Sequence, residues 1–250
     1  MSAELSTDLR RALRRLKLSP VMATLPERLV LARQRKLPYA EFLELVLSDE
    51  IERRDLASAT RRARAAGLDA TMVLEAWDHE ARVSYDRELW AELATLRFME
   101  DSHGVLVLGP VGVGKTHLAS ALGHIAVRRR HSVVMTRADH LLKRLRASRL
   151  DGTYEAEMRR MIRVDLLILD DFALRAMDPT ETQDLYELVV ERHRRASTVA
   201  TSNRDPVEWL GAMADPLLAQ SAIDRLQSSA HELVIEGESY RQRQKPRRAS

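Results

Sequence analysis

The chain has 250 residues, 45% of them hydrophobic, enough for one large domain or a core domain with an appendage. It contains no cysteine, so disulfides, thiolate metal sites and cysteine nucleophiles are excluded together. Net charge is only +3, but the 40 basic residues are unevenly spread: residues 1–40 carry nine against three acids, and the last ten carry five against none.

Basic ends on a near-neutral body point to a polyanion partner; a solvated helix face and a frayed tail would read the same way. Thirty-five of the basic residues are arginine, a bias that a GC-rich coding sequence also produces. No apolar run approaches the ~20 residues that span a bilayer, and the first residues hold no apolar signal segment. The expectation is a cytoplasmic protein with no membrane partner.

In chain order, residues 5–18 and 25–36 are basic and helix-patterned, with turn signals at Ser19-Pro20 and Leu37-Pro38. From Ala40 to Ala66, Phe42, Leu43, Val46, Leu47, Ile51 and Leu56 recur at helical spacing, and Gly67 reads as the cap. A further helix is predicted over 85–99, and no strand before residue 104. Then the texture changes. Val105–Leu108, Val133–Thr136, Leu166–Leu169, Thr198–Ser202 and Glu232–Ile235 read as strands, separated by helices near 115–130, 138–149, 154–163 and 180–195. Short runs apolar on both faces, alternating with helices, indicate a buried parallel sheet. The organisation read from this is a helical N-terminal domain over 1–75 for DNA and oligomer contacts, a connector helix over 76–100, an α/β core over 101–240 and a basic, disordered tail over 241–250.

Gly109-Pro110-Val111-Gly112-Val113-Gly114-Lys115-Thr116 matches the P-loop pattern and sits between a strand and the helix that His117 opens. A polyphosphate needs several backbone N–H donors converging on it, and a glycine-rich loop lets the backbone wrap that closely. These residues and His117 are the candidate ATP contacts. Lys115 would place its charge on the β- and γ-phosphates, and the Thr116 hydroxyl would ligate Mg²⁺. In Leu166-Leu167-Ile168-Leu169-Asp170-Asp171, a buried strand delivers two carboxylates. Asp170 would hold Mg²⁺ and Asp171 would act as general base on the attacking water; a strand-end turn capped by Asp171 is the plainer alternative. Asn203, after Thr198–Ser202, is a candidate to orient water at the γ-phosphate, or simply a turn residue before Pro206.

With these motifs in place, the chain resembles the AAA+ ATPases, in particular their IstB-like and DnaC-like branch. The resemblance rests on Gly109–Ala119, the Leu-Leu-Ile-Leu-Asp-Asp run, Thr201-Ser202-Asn203-Arg204, Asp224-Arg225-Leu226 and Gly237-Glu238-Ser239-Tyr240-Arg241. Tyr39–Leu43 and Glu50–Arg54 are similar to the helical region of IstB-like transposition helpers. The resemblance implies a P-loop core with a parallel five-stranded sheet flanked by helices and without a full lid domain, plus an all-helical N-terminal domain. It implies that Asn203 is the first sensor, Arg225 an arginine finger reaching ATP on a neighbouring subunit, and Arg241 a further γ-phosphate contact. Two departures stand out: Ala173 where the family often has glycine, and Asp171 where most AAA+ proteins have glutamate.

The implied function is an ATP-dependent helper of an insertion sequence. It would form a head-to-tail homo-oligomer on duplex DNA and recruit and stimulate a cognate transposase. A DnaC-like loader of a replicative helicase and a nucleotide-gated scaffold with negligible turnover are the alternatives. Arg10, Arg11, Arg14, Arg15 and Lys17 on the first helix, and Lys143, Arg144, Arg146 and Arg149 after the second strand, are the candidate phosphate contacts. Low aromatic content argues for a duplex held by its backbone rather than bases stacked one by one.

Overall fold

A computed structural model describes residues 5–78 and 82–240, which divide into two compact units, one up to Thr60 and one from Arg61 onward. The first contains helices α1 (Thr7–Arg15), α2 (Val21–Arg35) and most of α3 (Tyr39–Ala65). Ser6 caps α1 by accepting the Leu9 N–H. The helix ends at Arg15, earlier than its sequence pattern indicates. Lys17 therefore lies beyond it, in a turn with φ of 58°, rather than on the first helix. Helix α2 starts before the expected residue 25 and carries Pro26 inside it. Leu13, Val21 and Leu25 form the small core of this unit, with Phe42 and Val46 of α3 against it. Glu50 is 4% exposed and takes ion pairs from Arg53 and Arg54, both at 2.7 Å. The hydrogen bond from Arg53 and its partner arginine's hold the carboxyl down at about 2.

The second unit begins with the end of α3, where Gly67 turns the chain at φ +80°. Helix α4 (Arg87–Ala94) and the short α5 (Arg97–Glu100) replace the single connector helix expected from the sequence. The break is local chemistry. The Thr95 hydroxyl donates to Glu92 O at 2.6 Å, and Leu96 turns left-handed, with Leu93, Leu96 and Phe98 all buried. A two-residue strand, β1 (Val83–Ser84), pairs with the equally short β7 (Glu236–Gly237), so strand structure does occur before residue 104.

The remaining strands form one parallel sheet. They are β2 (Gly104–Leu108), β3 (Val133–Arg137), β4 (Leu166–Asp170), β5 (Ser197–Ser202) and β6 (Ala230–Val234), in the order β3-β4-β5-β2-β6. Side chains alternate between faces. Leu106, Leu108, Leu167, Leu169 and Ala200 enter a core built by α7 (Ala138–Leu150), α8 (Tyr154–Arg163), α9 (Pro179–Arg192) and α11 (Pro216–Ser228). The opposite face meets α6 (Lys115–Arg128), where Gly123 lets Ile168 approach. The short α10 (Pro206–Trp209) inserts Trp209 against Phe172. This is the doubly covered parallel sheet expected from the strand pattern.

Arg192, 2% exposed at the end of α9, ties the start of the sheet together. Its guanidinium donates to the carbonyls of Met161, Ile162, Val164 and Ser197 and to the Thr198 hydroxyl. Burial pushes its pKa down to about 10, which leaves it charged at neutral pH. Replacing Arg192 with Met removes the donor from four carbonyls at once, three of those bonds buried and the one to Ile162 partly so. The unfolding free energy is expected to fall by about 3–5 kcal/mol in urea denaturation. A loss below about 1 kcal/mol would mean that water takes over the guanidinium's role.

Candidate functional site

Adjacent strands end at one edge of the sheet and bring the candidate residues together. β2 runs into the loop Gly109–Gly114; beside it β5 ends at Ser202, immediately before Asn203. Next to β5, β4 ends at Asp170, which pairs in register with Arg137 at the end of β3. The loop passes straight into α6, so its N–H groups and the positive end of the helix dipole converge on the place a polyphosphate would occupy. Gly112 and Gly114 have φ of +87° and +103°. Close approach adds to the conformational demand. A Cβ on Gly114 would collide with the Trp77 ring, and one on Gly112 with Ser239. The Tyr240 N–H donates to Gly112 O at 2.9 Å, so the segment after β7 braces the loop from outside. Lys115 is buried, its ammonium donating to Gly109 O at 2.7 Å and Pro110 O at 2.6 Å.

Asp170 is the hub. Its Oδ1 accepts from the Thr116 hydroxyl at 2.9 Å and from the buried Thr201 hydroxyl at 2.6 Å. Thr201 Oγ1 in turn accepts the Asp171 N–H at 3.1 Å. A hydroxyl and a carboxylate joined beside a phosphate cradle form a hard-oxygen donor set that fits Mg²⁺. Thr201 is the residue sequence reasoning missed as a site component. It was visible only as part of a Thr-Ser-Asn run; that its hydroxyl faces Asp170 follows from the pairing of β4 with β5.

Asp171 leaves the strand in a left-handed conformation, φ 53°, and its carboxylate lies 3.8 Å from Arg137 Nε. The two border a pocket also lined by Ala138, Leu142, Ala173 and Met177. Ala173 itself is left-handed, φ 54°, a conformation that suits glycine better than alanine. The Ser202 hydroxyl donates to Phe172 O at 2.9 Å and accepts from Trp209 Nε1 at 3.2 Å, which fixes the turn between Asp171 and α9 to the end of β5. Asn203 is exposed directly after it.

Arg225 lies elsewhere. It is on the last turn of α11, and the Ser229 carbonyl just beyond accepts the N–H of Gly104, the first residue of β2. The loop begins at the other end of that strand, about 16 Å from Gly104 at ~3.3 Å per residue. The Arg225 guanidinium donates to the Ser221 carbonyl at 2.8 Å and to its hydroxyl, beside a cleft that Arg192, His193 and Arg194 also line. Arg241 and the tail over 241–250 lie outside the described residues.

The two basic clusters differ in environment. Arg10, Arg11, Arg14, Arg15 and Lys17 are all exposed. On α7, each cation has a carboxylate partner: Lys143 with Asp139 at 3.4 Å, Arg144 with Glu157 at 2.5 Å, Arg146 with Asp178 at 2.8 Å, and Arg149 with the fully buried Asp184 at 2.5 Å. Arg149 also stacks on Tyr154, 3.7 Å from the ring centre. A DNA phosphate at α7 would compete with these pairs.

The family described as IstB-like ATP binding protein matches residues 11–248. A protein of Mycobacterium tuberculosis named for ATP binding in an insertion sequence is 38% identical over 97% of both chains. One named as the ATP-binding protein of insertion sequence IS21, from Pseudomonas aeruginosa, is 34% identical over 93% of this chain and 88% of its own length. Among solved structures, the DnaC helicase loader superposes with a TM-score of 0.53 at 19% identity, covering 59% of this chain and 86% of the loader, a likeness of fold. Among the described residues no helix is long and apolar enough to cross a membrane.

Thr201→Val keeps the volume but removes the bond to Asp170. The magnesium concentration for half-maximal nucleotide binding is expected to rise about tenfold or more, with Thr201→Ser near the parent. Unchanged magnesium dependence, titrated with a fluorescent ATP analogue, would show that Thr201 does not position Asp170. Ala173→Gly relieves the left-handed alanine and is expected to raise stability by about 1 kcal/mol, read as a higher melting temperature.

Proposed function

The chain belongs to the family of IstB-like ATP binding proteins, and from that premise we propose that it is a cytoplasmic ATPase that assembles head-to-tail on target duplex DNA and recruits and stimulates the transposase of its insertion sequence. The observation that carries the reading is the position of Arg225 at the opposite end of β2 from the phosphate loop. A finger so placed serves the nucleotide of the next subunit, and an interface between unlike surfaces propagates into rings or helices. The names of the relatives support the link to insertion sequences. The exposed arginines of α1 supply charge for a DNA backbone.

In this scheme the loop N–H groups and Lys115 bind the triphosphate, with His117 on the first turn beyond. Thr116 and Asp170 would hold Mg²⁺, which supplies charge neutralisation to the phosphates. Asp171 takes the proton from the attacking water, and Asn203 orients that water. Arg225 of a neighbouring copy stabilises charge developing on the terminal phosphate, a contribution worth about 10³-fold or more in rate. Arg241 would add a contact at the same joint. ATP in the interface makes its hydrolysis a timer for assembly.

Three variants test this. Lys115→Ala is expected to bind no ATP and to form no ATP-dependent oligomer. Asp171→Asn and Arg225→Ala are each expected to bind ATP but release phosphate at background rates with duplex DNA present. Mixed in equal amounts, those two should regain about a quarter of the parent rate, the fraction of random interfaces joining an intact base to an intact finger. No recovery on mixing would remove the head-to-tail assignment. Equal background rates for the parent and Asp171→Asn would leave a nucleotide-gated scaffold instead. Loading of a replicative helicase without any effect on transposase would select the loader.

A further inference from the structure

Four aromatic rings form a ladder beside the phosphate loop. Trp77 meets His117 edge-on at 5.3 Å between centroids and Tyr85 at 5.9 Å, and Tyr85 meets the buried Trp90 at 6.5 Å. His117 follows Thr116 on α6, and its Nε2 donates to Val73 O at 2.8 Å, tying the ladder to the start of the helix. The far edge of the Trp77 ring rests on Gly114. The chain has only three tryptophans, and two of them stand here.

The sheet order gives the ladder a direction. On the proposed reading Thr116, Asp170, Asp171 and Asn203 stand at the terminal-phosphate end of the site, and the last three lie at the ends of β4 and β5, on one side of β2. β6 lies on the other side. From its end, Ile235 bonds to Leu108 and the chain continues into β7. β7 pairs with β1, and β1 lies in sequence between Trp77 and Tyr85. A triphosphate is a linear chain, so its nucleoside leaves the loop on the side away from the terminal phosphate, toward these rings.

We propose that this ladder is a base subsite, in which Trp77 stacks on the purine of the bound nucleotide and His117, Tyr85 and Trp90 hold the indole in place. The proposal rests on the reading of the loop as an ATP site. Trp77 is half-buried, so its ring is held by neighbours yet still reachable by a ligand. Stacking on an aromatic face is sequence-tolerant but grows with the area of the π-system, so purines gain more than pyrimidines. The plainer role for Trp77 is to brace Gly114, and the two roles make opposite predictions for a ligand that has phosphates and no base.

The test compares ATP, CTP and inorganic tripolyphosphate, each with magnesium, by calorimetry on the full chain. Trp77→Ala is expected to weaken ATP about tenfold to a hundredfold, to leave tripolyphosphate within about twofold and to erase the preference for ATP over CTP. Trp77→Phe is expected to keep most of the ATP affinity. In the parent protein, ATP but not tripolyphosphate is expected to quench tryptophan emission, a readout that needs no variant to fold. Parallel weakening of ATP and tripolyphosphate would overturn the subsite in favour of a brace, as would unchanged ATP affinity or equal quenching by both ligands. If the parent bound neither ligand, the ATP reading itself would fall.

Discussion

One buried carboxylate oxygen, Asp170 Oδ1, accepts a hydroxyl from the start of α6 and another from the end of β5. Neither threonine reaches it unless β4 and β5 pair in their parallel register and β2 lies next to β5 to launch the phosphate loop. The same hydroxyl that fixes Asp170 fixes the backbone of Asp171, so two adjacent acids are set by a single side chain. In a low-dielectric interior such a network is strong when complete and costly when broken. The site is therefore a property of the sheet, and the sheet's polar edge depends on the site.

The parts of this that the sequence displays are those written as local patterns. The P-loop spacing, the apolar runs of the five central strands and the acids after Leu169 are all contiguous, and the structure has strands and loop where those patterns lie. What is not contiguous stayed hidden. The contacts of Thr201 with Asp170 and of Trp77 with Gly114 join segments far apart in the chain. The pair β1 and β7 is two residues per strand, too short for any period to register. Helix α11 carries a start signal in Asp215, whose carboxylate accepts the Leu217 and Leu218 N–H groups, with Pro216 at the first helical position, but no apolar period strong enough to mark the helix by itself. The break at Leu96 reflects burial of three neighbouring apolar side chains overriding a good helical pattern.

Counting arginines overstates the charge available to a polyanion. Arg192 is spent inside the fold on carbonyl groups, and the arginines of α7 neutralise acids on α8 and α9 or just before them. Arg149 is the extreme case, since Asp184 has no exposure and depends on it and Tyr154 for its hydrogen bonds. On the first helix Arg11 pairs with Asp8, but at the surface, and the basic side chains stay in solvent. Two stretches that look alike in composition thus differ in what they can offer a phosphate.

The distance between Arg225 and its own loop has an arithmetic consequence. On the proposed reading, an open row of subunits always contains one terminal nucleotide with no donor across from it, while a closed circle contains none. Short rows then work at a lower rate per subunit than long ones, and the difference fades as the row grows. Such a molecule measures its own length through its chemistry.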